Sequence, residues 1–333
     1  MSAALVIGSV NIDYSWRVEE FPQFGMTTRA ALSAAEVGGK GLNQARALRR
    51  LGVDVRFVCG IGKDSAGDRV REELAALGIE AELFVADGAT GQAFVVVDAR
   101  GQNFILVDPG ANAALSRPFV LQAQHEHAGP LLMQMETPPD VVEAVLRGAS
   151  GVSRVYLDGG PFPIRDVALL SRAFVYSPNL GELGALTDTD IADSDALLNA
   201  IDRLRGRIEG DRSSGGPMCT LFVKMGRHGS VIVQRDGRCL LAPAMPVDAV
   251  DATGAGDVYL AALAAILESG GDALAAAQFA NCAAGLSTTV RGVANACPGR
   301  AEVMAEMTAR NAAHEWMEPL ELTPGMGLRL DNN

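Results

Sequence analysis

After residue 117 the chain keeps repeating one unit, a stretch of helical period followed by a short apolar run without polar alternation. The runs fall at 131–134, 155–158 and 173–177, with helices expected from 118, over 138–147 and between the last two runs. A continuous apolar run suits a strand covered on both faces. Strands alternating with helices pack as a parallel sheet between two helical layers. The run over 3–9 reads as a buried opening strand of the same sheet. Further strands are expected at 53–60, 221–225, 230–234 and 239–242, and helices at 41–52, 64–77, 193–208, 254–268 and 272–289. The implied architecture is α/β, in three layers, around a mostly parallel central sheet. A chain of 333 residues, 48% of them apolar, buries about three quarters of its unfolded surface.

Two segments depart from the repeat. Residues 16–36 are too long for an ordinary connection and read as a lid or a small added sheet. Residues 94–98 and 104–107 are apolar strands around the polar turn 99–102, a hairpin. The loop GDRSSGGP at 210–217 is expected to be exposed, and the tail over 314–333 to be peripheral.

Several function classes are excluded early. A net charge of −12 argues against non-specific nucleic-acid binding, which needs basic patches. Cys59, Cys219, Cys239, Cys282 and Cys297 have no zinc spacing, and an odd, scattered set reads as reduced thiols in a cytoplasm. His125 and His127 sit at an expected helix end and read as solvated or capping groups. No uncharged apolar stretch is long enough to cross a membrane. The GSVN that follows the first strand is not GxGxxG, the two Gly-Lys pairs lack the Ser or Thr of a P-loop, and no GxSxG is present.

Three motifs carry chemistry. In DATGAGD (251–257) small residues precede a helix, so backbone amides converge where the helix dipole is positive, an anion hole. Asp257 in the first helical turn is either a dipole-stabilising charge or, beside a phosphoryl group, a proton acceptor for an attacking hydroxyl. In GGKGLNQ (38–44) glycines admit a ligand close to backbone, and Asn43 offers a donor and an acceptor for vicinal hydroxyls. In GSVNID (8–13) Asp13 follows the first strand, where α/β sheets bind ligands, although a turn aspartate is an equal reading.

Taken together these motifs resemble the ribokinase branch of the PfkB carbohydrate kinase family. The resemblance spans about residues 3 to 305 and includes, in the family's order, GANAAL (110–115), LLMQME (131–136), SPNLGE (177–182) and KMGRHG (224–229). It implies a ribokinase-like three-layer fold with a small β-sheet lid built from about 12–38 and 90–110. The whole chain 1–333 would form one such domain. It implies an ATP-dependent carbohydrate kinase with Asp257 as the catalytic base and Gly254, Ala255 and Gly256 as the anion hole. Asn11, Asp13, Gly39, Lys40, Gly41, Asn43 and Glu136 are implied as sugar contacts. Asn179, Lys224, Gly226, Gly229 and Asn281 are implied as ATP contacts. Asn179 and Glu182 match a motif that organises Mg²⁺ and its waters, with a plain helix cap as the alternative for Asn179. Asp251, Thr253, Ser287, Val290, Gly292 and Ala296 fall where the branch binds K⁺, mostly through backbone carbonyls.

The implied partners are a small sugar and ATP, with no nucleic acid and no membrane. The lid would shield the sugar from water and pair two subunits into a homodimer. D-ribose, converted to ribose 5-phosphate, is the expected substrate. Nucleoside, fructose and 2-keto-3-deoxy sugar kinases are rivals within the fold, and a catalytically dead sugar-binding protein is a rival of another class. A nucleoside base would need an apolar slot, for which Tyr14, Trp16, Phe21 and Phe24 are available unless they fill the lid's own core. The chain departs from relatives at Met26, where many carry an acid, at Tyr156-Leu157-Asp158-Gly159-Gly160-Pro161, which replaces an asparagine-proline segment, and in its longer tail.

Overall fold

The computed structural model describes residues 3–100, 102–149, 154–209, 219–234, 236–294, 296–313, 316 and 318–330. The loop 210–217 lies outside them.

The large sheet has ten strands in the order β14-β13-β12-β11-β10-β9-β8-β1-β4-β5. In chain order these are β1 (Ala4–Ile7), β4 (Val55–Ile61), β5 (Glu80–Val85), β8 (Leu131–Met133), β9 (Val155–Asp158), β10 (Val175–Ser177), β11 (Thr220–Lys224), β12 (Ser230–Val233), β13 (Cys239–Ala242) and β14 (Leu320–Leu322). From β11 across to β5 every pair is parallel, while β12, β13 and β14 are antiparallel. The tail thus takes the outermost place on one side of the sheet.

β1 shows why the apolar runs are continuous. Ala4 and Val6 face one apolar cluster, Leu5 and Ile7 the other, and all four are fully buried. The first cluster is closed by α1 (Lys40–Arg50), α2 (Ser65–Ala76), α7 (Ala255–Leu267), α8 (Ala273–Ser287) and α9 (Arg300–Ala313). The second lies under α3 (Arg117–His125), α4 (Pro139–Gly148), α5 (Leu180–Thr187) and α6 (Ser194–Glu209). Alanines dominate the buried faces of α7 and α8, so the two helices pack closely against each other.

One expected helix is absent. Between β9 and β10 the chain forms only a short 3₁₀ segment, Val167–Arg172. Pro161 and Pro163 cannot donate backbone hydrogen bonds, and few residues remain before β10 begins. His125 ends α3, and His127 Nε2 bonds the carbonyl of Pro130 at 3.2 Å.

The two departing segments form a second sheet of four strands in the order β3-β2-β6-β7: β2 (Asn11–Val18), β3 (Ala30–Gly38), β6 (Gly91–Val97) and β7 (Asn103–Asp108). Tyr14 stacks on Phe94 at 5.5 Å between ring centroids and Phe21 meets Phe104 at 5.2 Å, so these aromatics pack within the small sheet, whereas Phe24 is exposed. Leu32, Ile105, Leu106 and Val107 are exposed as well. Among the described residues no helix is long and apolar enough to cross a membrane.

Candidate active site

The carboxyl ends of β1, β8, β9, β10 and β11 open on one side of the large sheet, where the N-termini of α1 and α7 meet them. Ligands of α/β sheets bind at this end. The small sheet is rooted in the same place. β2 starts at Asn11, four residues after β1 ends, and β3 ends two residues before α1 starts. Gly39 caps α1, and Gly41 sits so close to Gly8 and Ser9 that a Cβ there would lie 2.7 Å from their backbone.

Asp257 lies in the first turn of α7 and is 2% exposed. Gly254, in the left-handed region at φ 76°, starts that helix without a side-chain cap. The amide of Gly256 meets no backbone partner among the described residues, while that of Ala255 reaches Ala252 O at 3.2 Å. The Asp257 carboxylate accepts from Asn43 Nδ2 at 3.0 Å, Gln44 Nε2 at 3.3 Å and Lys40 Nζ at 3.4 Å. Burial pushes its pKa up, and the ammonium of Lys40 opposes this without cancelling it. For Lys40 burial works downward, but Asp158, Asp257, Glu136 and Glu182 outweigh it and hold the ammonium well above its ordinary value.

The implied sugar contacts converge here. Glu136, just past β8, accepts from Ser9 Oγ and, at 3.3 Å, from the amide of Lys40; burial raises its pKa. Asp13 on β2 packs against Gly38, and burial together with the nearby Glu136 pushes its carboxyl up to about 7. Asn11 is held by Asn112, whose Nδ2 donates to Asn11 Oδ1 at 2.8 Å and whose Oδ1 accepts from the amide of Val10 at 3.0 Å. Asp13 Oδ1, Asn43 Oδ1 and Gln134 Oε1 are buried acceptors without a partner. Buried polar atoms are rarely left so.

The implied nucleotide and metal contacts are of mixed character. Lys224 ends β11 and donates to Asp158 Oδ2 at 2.7 Å, and Gly226 and Gly229 bound the turn that follows. Asn179 and Glu182 form a reciprocal capping box on α5, Glu182 N donating to Asn179 Oδ1 and Asn179 N to Glu182 Oε2, both at 2.8 Å. The cap that the sequence left as an alternative for Asn179 is therefore formed. Asn281 donates its amide hydrogens to Ala242 O at 2.8 Å and Pro243 O at 3.3 Å, which ties α8 to β13. Asp251 draws the implied K⁺ loop together, accepting from the amides of Thr253 and Gly292 at 3.0 Å each, while its own amide bonds Thr288 O at 3.0 Å. Ser287 turns its hydroxyl back to Ala284 O, Val290 is exposed and Ala296 is buried.

Three residues at the centre of this arrangement escape a reading of the motifs. Asp158 joins Lys40 to Lys224 from the end of β9. Gln134 donates to Gln44 Oε1 at 2.7 Å, which continues the amide chain to Asp257. Asn112 holds Asn11 from within GANAAL, a motif whose order is informative but whose residues had no role. Asp158 lies in the departure at 156–161 and in none of the motifs.

The family model of the pfkB family carbohydrate kinases matches residues 1–300. A ribokinase of Haemophilus influenzae is 33% identical over 306 residues, 90% of this chain and 96% of its own length. One from Bacillus subtilis is 32% identical, with 90% and 97% covered. A solved structure of Arabidopsis thaliana ribokinase complexed with ribose and ATP aligns at a TM-score of 0.77 and 28% identity, over 91% of this chain and 97% of that one.

Proposed function

The chain belongs to the pfkB family of carbohydrate kinases and is an ATP-dependent sugar kinase, and from that premise we propose that it phosphorylates D-ribose at its primary hydroxyl, giving ribose 5-phosphate. The observation that carries this reading is the pair of unpartnered buried oxygens, Asp13 Oδ1 and Asn43 Oδ1, in the cradle around Asp257. A neutral polyol satisfies both acceptors. A sugar acid would bring a further negative charge against Asp13, Glu136 and Asp257.

In this reading Asp257 takes the proton of the attacking hydroxyl. Burial makes the carboxylate more basic, while Asn43 and Gln44 fix its orientation. A bond forms from the sugar oxygen to the γ-phosphorus as the bond from that phosphorus to the β–γ bridging oxygen breaks. ADP leaves and the proton stays on Asp257. Charge on the transferring group meets the amides of Ala255 and Gly256 and the ammonium of Lys224. Such electrostatic stabilisation is the main resource of phosphoryl transfer. Asn11, Lys40, Gly39, Gly41 and Glu136 complete the sugar cradle, and Asn179, Gly226, Gly229 and Asn281 border the nucleotide.

The donor set fits Mg²⁺ held largely by water and nucleotide oxygens: Glu182 supplies one carboxylate there, beside the capped Asn179. When bound, that ion would neutralise phosphate charge. The oxygen-rich loop of Asp251, Thr253, Ser287, Val290, Gly292 and Ala296 suits K⁺. The exposed apolar residues of the small sheet suit a homodimer joined through the lid, and five free cysteines suit the cytoplasm.

ADP release across D-ribose, 2-deoxyribose, fructose, 2-keto-3-deoxy sugar acids and nucleosides tests the proposal. The highest kcat/KM is expected with D-ribose. A faster nucleoside or sugar acid would replace the substrate, and the absence of sugar-stimulated ADP from all of them would favour a binding protein.

A further inference from the structure

Asp158 has no part in the mechanism above, yet it occupies its centre. It ends β9 and is fully buried. Its Oδ2 accepts from Lys224 Nζ at 2.7 Å, and its Oδ1 accepts from Lys40 Nζ at 3.4 Å and from the amide of Gly160 at 3.1 Å. The three donors come from β11, α1 and the turn after β9, so the carboxylate is held from three sides. Burial alone would raise its pKa, but Lys224 and Lys40 outweigh burial and keep it ionised.

The Lys224 ammonium stands over the first turn of α7, where a Cβ on Gly256 would lie 3.4 Å from Nζ. A lysine side chain is a flexible stem with a point charge at its end, so its position must be imposed by a partner. Among the described residues Asp158 is the acceptor within hydrogen-bond distance of Nζ. Lys40 is shared between Asp158 and the base, at 3.4 Å from each.

We propose that Asp158 is a positioning residue for phosphoryl transfer, holding the Lys224 ammonium at the N-terminus of α7 where the terminal phosphate of the nucleotide is received. The proposal rests on the reading of Lys224 as a phosphate contact. It makes the departure at 156–161 a working part of this chain, since a neutral amide at 158 would pair less strongly with an ammonium.

The test compares Asp158→Asn, Lys224→Met and the double variant in steady-state kinetics with D-ribose and ATP, with circular dichroism to confirm folding. Misplacing a charged group at the reacting centre costs on the order of 10²-fold. Asp158→Asn is expected to lower kcat by about that factor with the sugar KM within about twofold of wild type. The double variant is expected to be no slower than Lys224→Met alone. If Asp158→Asn fails to fold, the double variant, which leaves no lone buried charge at this pair, still decides the matter against Lys224→Met. Wild-type kcat in Asp158→Asn beside a slow Lys224→Met overturns the proposal, as does a double variant slower by the product of the two losses. Wild-type speed in Lys224→Met overturns the phosphate reading of Lys224 itself, and the positioning role with it.

Discussion

Replacing Asp13 by Asn removes a carboxyl that folding makes harder to ionise. Its pKa rises from the ordinary 3.8 to about 7, chiefly through burial and then through Glu136. Above pH 3.8 the unfolded chain releases this proton while the native chain keeps it, so the native state binds more protons and its stability falls as pH rises towards 7. The full shift corresponds to about 4 kcal/mol at 1.36 kcal/mol per pH unit. Asp13 is half-buried on its strand, so water screens part of this, and about 2 kcal/mol is the working figure. Asp13→Asn has no proton to lose. Relative to wild type it is expected to gain about 2 kcal/mol between pH 4 and pH 8 in the absence of ligand, which is about 3 °C in Tm for a chain of this length. The assay is paired thermal melts at pH 4, 5, 6, 7 and 8, read as the difference between variant and wild type, so that Glu136 and Asp257, also shifted upward, largely cancel. A difference that does not change with pH would refute the reasoning. The same variant is expected to raise the sugar KM at least ~10-fold, because a buried acceptor for sugar hydroxyls becomes an amide.

The remaining predictions concern the chemistry. Asp257→Asn is expected to lower kcat by at least ~10²-fold while sugar binding, followed by calorimetry, survives; unchanged turnover removes the base assignment. Turnover is expected to rise when choline is replaced by K⁺ in sodium-free buffer, and equal rates in the two buffers would remove the cation loop.

The parts legible in the sequence were those whose signal is local. β1 and β9 are continuous apolar runs because helices cover both of their faces, and α2 announces itself through Asp64, whose side chain caps the amide of Gly67 at 2.8 Å. β5 was not legible: its sequence, EAELFV, is partly polar because it lies at the sheet edge with only one neighbour. The site divides the same way. Asp257, Gly254 and Gly256 stand together in one motif. The role of Asp158 depends on Lys224 and Lys40, 66 and 118 residues away, and no short window contains it. Asn179 and Glu182 were legible as a pair, but a spacing of three residues serves a helix cap and a metal site equally well.

The outer strands of the two sheets bear on how copies of this chain meet. An edge strand offers unpaired amides and carbonyls to any other strand, and charge is one of the usual deterrents. On the large sheet β5 carries Glu80, beside a Glu82 that is paired with Arg56, and β14 carries Glu321, so both outer strands hold an acidic side chain. On the small sheet β7 presents Phe104, Ile105, Leu106 and Val107 to solvent in an unbroken row. Among the described residues the large sheet's outer strands thus expose single apolar side chains, Val85 and Leu320, beside their glutamates, whereas the unbroken apolar row lies on the sheet proposed to cover the sugar.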